Sequence, residues 1–366
     1  MGSRLLRRLA ATLLIAALAA SASAQYSGAP FYTQPLLQSQ AYGLEVALQR
    51  LDALDAAGDT LDDDWEEVVE GFEADLPRFI GTLRAADAAR ADEVEEAIED
   101  LEEAFASRAG LAEAVEAARE ALTEAYAVAV PAEVRADPAF VAALITDLSL
   151  GEVGVGEGYE EAIEGELAAF TLGYVALARV TDLWNQIADG ATEQQRADVE
   201  EMLEFIGTLY PTATIDQAIV GNPEEAEAPV HRMIGVLETI VDAELYPGRD
   251  MAALATQLPE QLAGACEAYE AGNDDLGTEI AIAVGYRYLE ADLGDFMEFM
   301  APAVHEEAAE LIHALTGLGG EDDDEGEADD AAADGAVEES QEPADLAQAC
   351  RELMEALQDA RGVFGG

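Results

Sequence analysis

Asp92-Glu-Val-Glu-Glu-Ala-Ile-Glu-Asp-Leu-Glu-Glu-Ala-Phe-Ala-Ser107, a three-residue break at Arg108-Ala-Gly110, then Leu111-Ala-Glu-Ala-Val-Glu-Ala-Ala-Arg-Glu-Ala-Leu-Thr-Glu-Ala-Tyr-Ala-Val128 decide the fold class. Both runs place apolar residues at helical spacing among helix-forming alanine and glutamate, and the break is short enough to turn the chain back on itself. The same pattern recurs outward in both directions. Helices are expected over Leu36–Ala57, from Thr60 as a hydroxyl cap through Ile80 with Pro77 kinking or breaking it, and over Pro138–Leu148, Tyr159–Ala188 and Glu193–Leu209. They continue over Glu224–Leu245, Met251–Ala271, Asp275–Met300, Pro302–Leu315 and Pro343–Arg361. No alternating strand pattern competes with them. The expected fold is all-α, antiparallel helical bundles built from repeated helical hairpins.

Composition narrows what such a bundle can do. The chain has 366 residues and a formal charge of −61, it has arginine but no lysine, and acid is spread along its whole length. Nucleic acid and anionic lipid surfaces both demand a basic face, so neither is an expected partner. Self-repulsion at this density calls for screening by counterions, and a lysine-free carboxylate surface is what adaptation to high salt produces. Residues 1–24 read as a secretory leader. Arg4, Arg7 and Arg8 precede an apolar run from Leu9 to Ala20, and Ala22-Ser23-Ala24 forms a small-residue cleavage signal. Export to a periplasmic or extracellular space follows, by the general rather than the twin-arginine route. No later stretch reads as a membrane span, so no membrane insertion is expected after cleavage.

The chain divides by composition into an N-terminal helical module (25–150), a middle module (151–220) and a C-terminal module (221–318). An acidic linker (319–343), expected to be disordered, and a terminal amphipathic helix (344–366) complete it. The two cysteines, Cys266 and Cys350, are either a disulfide that pins the terminal helix to the body or two buried thiols. The outer modules share an internal repeat. Leu51-Asp-Ala-Leu-Asp-Ala-Ala-Gly58-Asp59 leads to Glu73-Ala-Asp-Leu-Pro-Arg-Phe79, and Ala265-Cys-Glu-Ala-Tyr-Glu-Ala-Gly272-Asn273 leads to Glu290-Ala-Asp-Leu-Gly-Asp-Phe296. The glycine-to-glutamate spacing is 15 in the first copy and 18 in the second, so one small insertion relates them.

A helix ending in Tyr269-Glu-Ala-Gly-Asn273, followed by one carrying Tyr286, Tyr288, Leu289 and Glu290, resembles the soluble extracytoplasmic region of bacterial high-affinity iron permeases. Tyr159-Glu-Glu-Ala-Ile163 and Val199-Glu-Glu-Met-Leu-Glu-Phe205 are similar to two further segments of that region. The permease's Arg-Glu-Gly-Leu-Glu signature is absent, and Val199 stands where the family usually has tyrosine. The resemblance implies a stand-alone relative of an iron-uptake ectodomain, with iron as cargo and a membrane iron permease as partner.

Hard cations prefer carboxylate oxygen, so the candidate metal ligands are clusters of acid at helical spacing. Glu306, Glu310 and His313 share one helical face, and Glu310-x-x-His313 is half of the motif used by di-iron bundles. Glu160, Glu161 and Glu164, beside Tyr159, form the second cluster. Arg351-Glu-Leu-Met-Glu355 fits an Arg-Glu-x-x-Glu pattern, although its arginine reads more simply as a partner in an intrahelical ion pair. Trp65 and Trp184 read as core residues. With three histidines and no metalloprotease, nucleophile-elbow, phosphate-loop or haem-attachment motif, no enzymatic activity is expected. The leading expectation is an accessory metal-binding protein of the cell envelope, and the alternative is an interaction or structural protein whose acidity is an adaptation to salt.

Overall fold

The computed structural model describes residues 29–30, 35–58, 61, 65–245, 251–292, 297, 299, 301–318 and 346–364, with backbone only at 29–30, 251–257, 287–292 and 358–364. The expected leader, the acidic linker and the Thr60 cap lie outside the described residues.

Helix α1 (Pro35–Ala57) is buried nearly all round, 17 of its 23 residues being enclosed, so it forms the axis against which the others pack. Helix α2 (Glu66–Asp75) ends where Pro77 sits in a 3-10 turn, Leu76–Arg78, which redirects the chain into α3 (Ile80–Ala86). Asp87 caps α4 (Ala88–Ser107) by accepting from the Arg90 N–H at 3.2 Å. Arg108 and Gly110, both left-handed at φ 53° and 74°, then fold the chain back into α5 (Leu111–Ala129). The hairpin legible in residues 92–128 is this α4–α5 pair. A single turn, α6 (Ala132–Arg135), leads to α7 (Pro138–Leu150), started by Pro138 and by Asp137 accepting from Ala139 N.

Next come α8 (Val155–Glu164), α9 (Leu167–Ile187), α10 (Glu193–Leu209, with a Thr192–Gln195 capping box) and α11 (Glu224–Val241). The expected continuous helix Tyr159–Ala188 is therefore two helices. Gly165, at φ 118°, closes α8 in a conformation that a side chain would oppose. Two two-residue strands, β1 (Ala29–Pro30) and β2 (Ala243–Glu244), pair in parallel. The chain continues through α12 (Met251–Glu270), α13 (Asp274–Ile280), a π-wound segment (Ala281–Asp292), α14 (Pro302–Thr316) and α15 (Leu346–Phe364). The fold is all-α in the sense the sequence implies.

Side chains gather into two cores. The first joins α1 to α11 around large buried residues such as Phe72, Phe79, Phe140 and Phe170. The second joins α12, the π segment, α14 and α15 around Leu262, Tyr269, Val284, Ile312 and Leu353, with Leu36 reaching in from α1. The module borders expected at residues 150 and 220 fall inside the first core, and Val230, Ile234 and Leu237 of α11 pack there too. Linear composition does not reveal this, because α11 completes the core by meeting α10 and α7, which are distant or reversed in sequence. Two stretches, Pro138–Glu164 and Leu167–Gly190, are long and apolar enough to cross a membrane, which the sequence reading did not recognise. About 72% and 67% of these apolar windows are buried inside the bundle, so their apolar surface is taken up by the core.

In the internal repeat, Gly58 and Gly272 both adopt positive φ, at the ends of α1 and α12. The copies then diverge: residues 73–79 are α and 3-10, whereas the second copy is π-wound from Ala281, within the interval that carries the extra residues. Cys266 and Cys350 form a disulfide that fastens α15 to α12.

The polar side chains of α1 set how its neighbours sit. Arg50 Nε donates to Asp75 Oδ2 at 2.8 Å, joining α1 to the end of α2, and Arg78 lies 3.9 Å from the other Asp75 oxygen. Gly71 makes room, since a Cβ there would lie 2.2 Å from the Arg50 guanidinium carbon. Burial pushes the Asp75 carboxyl above its ordinary range in spite of both arginines.

Two outcomes follow. Arg50→Leu leaves the buried Asp75 charge underpaired and should cost about 3–5 kcal/mol in urea unfolding, much of it recovered in Arg50→Leu/Asp75→Leu. The disulfide closes an 84-residue separation. Cys350→Ser should therefore remove about 4–5 kcal/mol of chain-entropy stabilisation from the second core. Hydrogen exchange should quicken in α15 while α1 and α5 keep their protection.

Candidate functional site

Helix α8 carries four glutamates in ten residues. Its inner face is Val155, Tyr159 and Ala162, all buried, and Gly158 lets its backbone cross α9 closely. A Cβ there would come within 2.8 Å of the Gly173 Cα. The Tyr210 hydroxyl donates to Val155 O at 2.6 Å, and its ring stacks at a tilt on Phe170, so α8 is held firmly by α9 and the end of α10. With that face buried, Glu157, Glu160, Glu161 and Glu164 project together from the other, at spacings of three, one and three.

The N-terminus of α11 brings three more carboxylates, Glu224, Glu225 and Glu227, to the same side. The Tyr159 hydroxyl approaches Glu225 Oε2 at 3.4 Å, and Glu160 shares a hydrogen bond with Glu227. The electrostatic result is consistent across the group. Partial burial, then Glu160, Glu227, Glu152 and Glu164, raise the Glu157 carboxyl. Burial, then Glu227 and Glu164, raise Glu160. Glu161 is pushed up to about 7 by burial and by Glu157, Glu166, Glu67 and Glu164. Among the described residues no arginine is paired with these four glutamates. What holds the carboxylates near one another is helix packing, against their mutual repulsion.

Glu160, Glu161 and Glu164 thus lie together, as their spacing implies. Glu157 belongs with them and was legible at i−3 from Glu160. Glu227 and Glu225 were not, because only the α8–α11 packing brings them near. Glu306, Glu310 and His313 lie on α14, the glutamates exposed and the histidine half-buried. Among the described residues, no three His, Cys, Asp or Glu side chains converge as a metal site, either there or on α8. Arg351 pairs with Glu270 of α12 at 2.8 Å, an interhelical bridge rather than the intrahelical pair expected, while Glu352 accepts from Gln348. Trp65 and Trp184 are buried in the first core. A separate groove of about 330 Å³ between α4 and α5 is lined by Glu93, Glu96, Asp100, Glu120 and Glu124 and bridged by Arg90, which pairs with Glu93 and Glu124.

Because the Glu161 carboxyl titrates above its ordinary value in the folded state, its contribution favours the fold in acid and is lost as pH rises through about 7. Glu161→Gln should leave the melting temperature unchanged at pH 5 and raise it by about 1–3 °C at pH 8, and the Glu161 carboxyl carbon should titrate near 7 by NMR. Comparison with protein-family models, curated proteins and solved structures finds no match to this chain.

Proposed function

We propose that this chain is an exported accessory protein that binds metal cations at the cell envelope, with the carboxylate face of α8 and the start of α11 as its seat. The observation that carries the reading is the mutual elevation of Glu157, Glu160 and Glu161, with Glu164 and Glu227 among its causes. Carboxylates held together against repulsion, without a paired arginine, are relieved by a multivalent cation, whose charge favours the ionised form of all of them at once. Oxygen-only donors suit hard cations, and ferric iron is the one implied by the likeness to iron-permease ectodomains. Passing iron to a membrane permease is part of the same proposal. Because the side chains do not converge without the cation, binding would draw the exposed Glu164 and half-buried Glu160 and Glu161 inward.

A second reading has its own support. Exposed acid covers α4, α5 and α10 as well as α8, and a salt-adapted interaction or structural protein would hold cations diffusely over all of it. One titration separates the two: ferric and ferrous iron added to residues 25–366 in molar sodium chloride, with citrate as competitor. Saturable binding at one or two sites, lost in Glu160→Ala/Glu161→Ala and kept in Glu306→Ala/Glu310→Ala, is expected. Uptake that never saturates and that sodium abolishes would leave the salt-adapted scaffold.

A further inference from the structure

We propose that Glu279 is a proton-operated latch fastening the second core to the first. Glu279 lies on α13 and is 0% exposed, at the place where α13 packs on α3 and Gln40 reaches over from α1. The approach there is backbone to backbone: a Cβ on Gly81 would stand 2.7 Å from the main chain of Asp275 and Leu276. The Glu279 carboxyl accepts from Gln40 Nε2 at 2.5 Å and from Thr82 N at 2.6 Å, with Gly81 N and the Thr82 hydroxyl as further donors.

These donors explain the position. Helix α3 starts at Ile80, and Phe79 at its N-cap position offers no side-chain cap. The carboxyl reaching across from α13 satisfies its first-turn N–H groups in place of one. The two cores are therefore joined through a helix cap supplied by the other side.

Among the described residues no arginine is paired with Glu279. Around α13, Arg84 of α3 is engaged by Asp275 and Glu95, and Arg78 of the 3-10 turn pairs with Asp75. Tyr269 of α12 bonds Thr278 and Leu315 O, Tyr286 of the π segment bonds Glu152, and α14 contributes His313. None of these side chains bonds Glu279. The ties Arg84–Asp275 and Tyr286–Glu152, each 3.0 Å, cross the same junction but are partly or fully exposed to solvent and hold it weakly.

Burial raises the Glu279 carboxyl to about 7, and the donors around it only partly offset this. A neutral Glu279 keeps its carbonyl oxygen for Thr82 N, and turning over the Gln40 amide would present its otherwise unpartnered Oε1 as acceptor to the carboxylic hydroxyl. On undocking the group enters water and returns to its ordinary value. Docking is then favoured in acid and weakens as pH rises through about 7.

The test is hydrogen exchange of the Gly81–Leu83 amides in residues 25–366, in molar sodium chloride, corrected for intrinsic rates. Between pH 5 and 8.5 protection in the native chain should fall about 50- to 100-fold more than in Glu279→Gln. Glu279→Gln replaces the carboxyl with a neutral side chain of equal size that still accepts from Thr82 N and has an amide to offer Gln40 Oε1. Asp275→Asn, on the exposed rim, should keep the native pH slope. Equal slopes in the native chain and Glu279→Gln would overturn the latch. Should Glu279→Gln not fold, the Glu279 carboxyl carbon of the native chain decides: titration near 7 supports the latch, and titration near 4.5 overturns it.

Discussion

The enclosure of α1 on every side is the constraint from which the rest of the molecule follows. A helix buried all round is normally uniformly apolar, yet α1 carries Gln38, Gln40, Glu45, Gln49, Arg50 and Asp52, five of them buried and Asp52 at the edge. Each must find a partner on a different neighbour or leave a polar group stranded. Gln38 finds Asp147 of α7, Gln40 finds Glu279 of α13, and Gln49 finds the Val153 and Leu172 carbonyls. Arg179 of α9 grips Glu45 and Asp52 at 2.6 Å each, while Arg119 of α5 binds Asp52 and Asp55. Apolar packing alone would let these helices slide or rotate about the axis. The directional contacts favour the arrangement in which each of these side chains has a partner on a neighbouring element.

Arginine is scarce here and is placed accordingly. Arg50, Arg84, Arg119, Arg179 and Arg351 all reach between elements, mostly at half-buried positions where salt screens them least. The outer surface is left with carboxylates and few cations. The α8 face is an extreme of this division: its inner side is locked by Tyr210 and Gly158, and its outer side carries four glutamates with none of the arginines beside them. The same shortage leaves Glu279 buried at the junction of the two cores with no arginine paired to it among the described residues.

Legibility followed the range of the interaction. The α4–α5 hairpin, the stop at Pro77 and the shared face of Glu160, Glu161 and Glu164 are local consequences of spacing and backbone geometry, and they are in the sequence. The join of Glu227 to Glu160, the trans cap on α3 and the membership of α11 in the first core depend on residues tens to hundreds apart. Equal spacing also does not mean equal surroundings. Glu306, Glu310 and His313 share a helical face as surely as the α8 glutamates do, but the two glutamates are exposed, whereas Glu160 is half-buried and joined to Glu227 of α11.

By itself the sequence determined the helical class, the α4–α5 turn, the stop at Pro77 and the acid bias of the surface, because each is set by neighbours within a turn or two or by composition. Tertiary structure alone decided that α1 is the axis and that Cys266 meets Cys350. It also decided that α8 and α11 pool their carboxylates and that a glutamate from one core caps a helix of the other. Those are contacts between helices whose outward patterns are nearly alike. The directional partners that Gln38, Gln40, Glu45, Gln49 and Arg50 find on different neighbours select among the many ways such helices could pack.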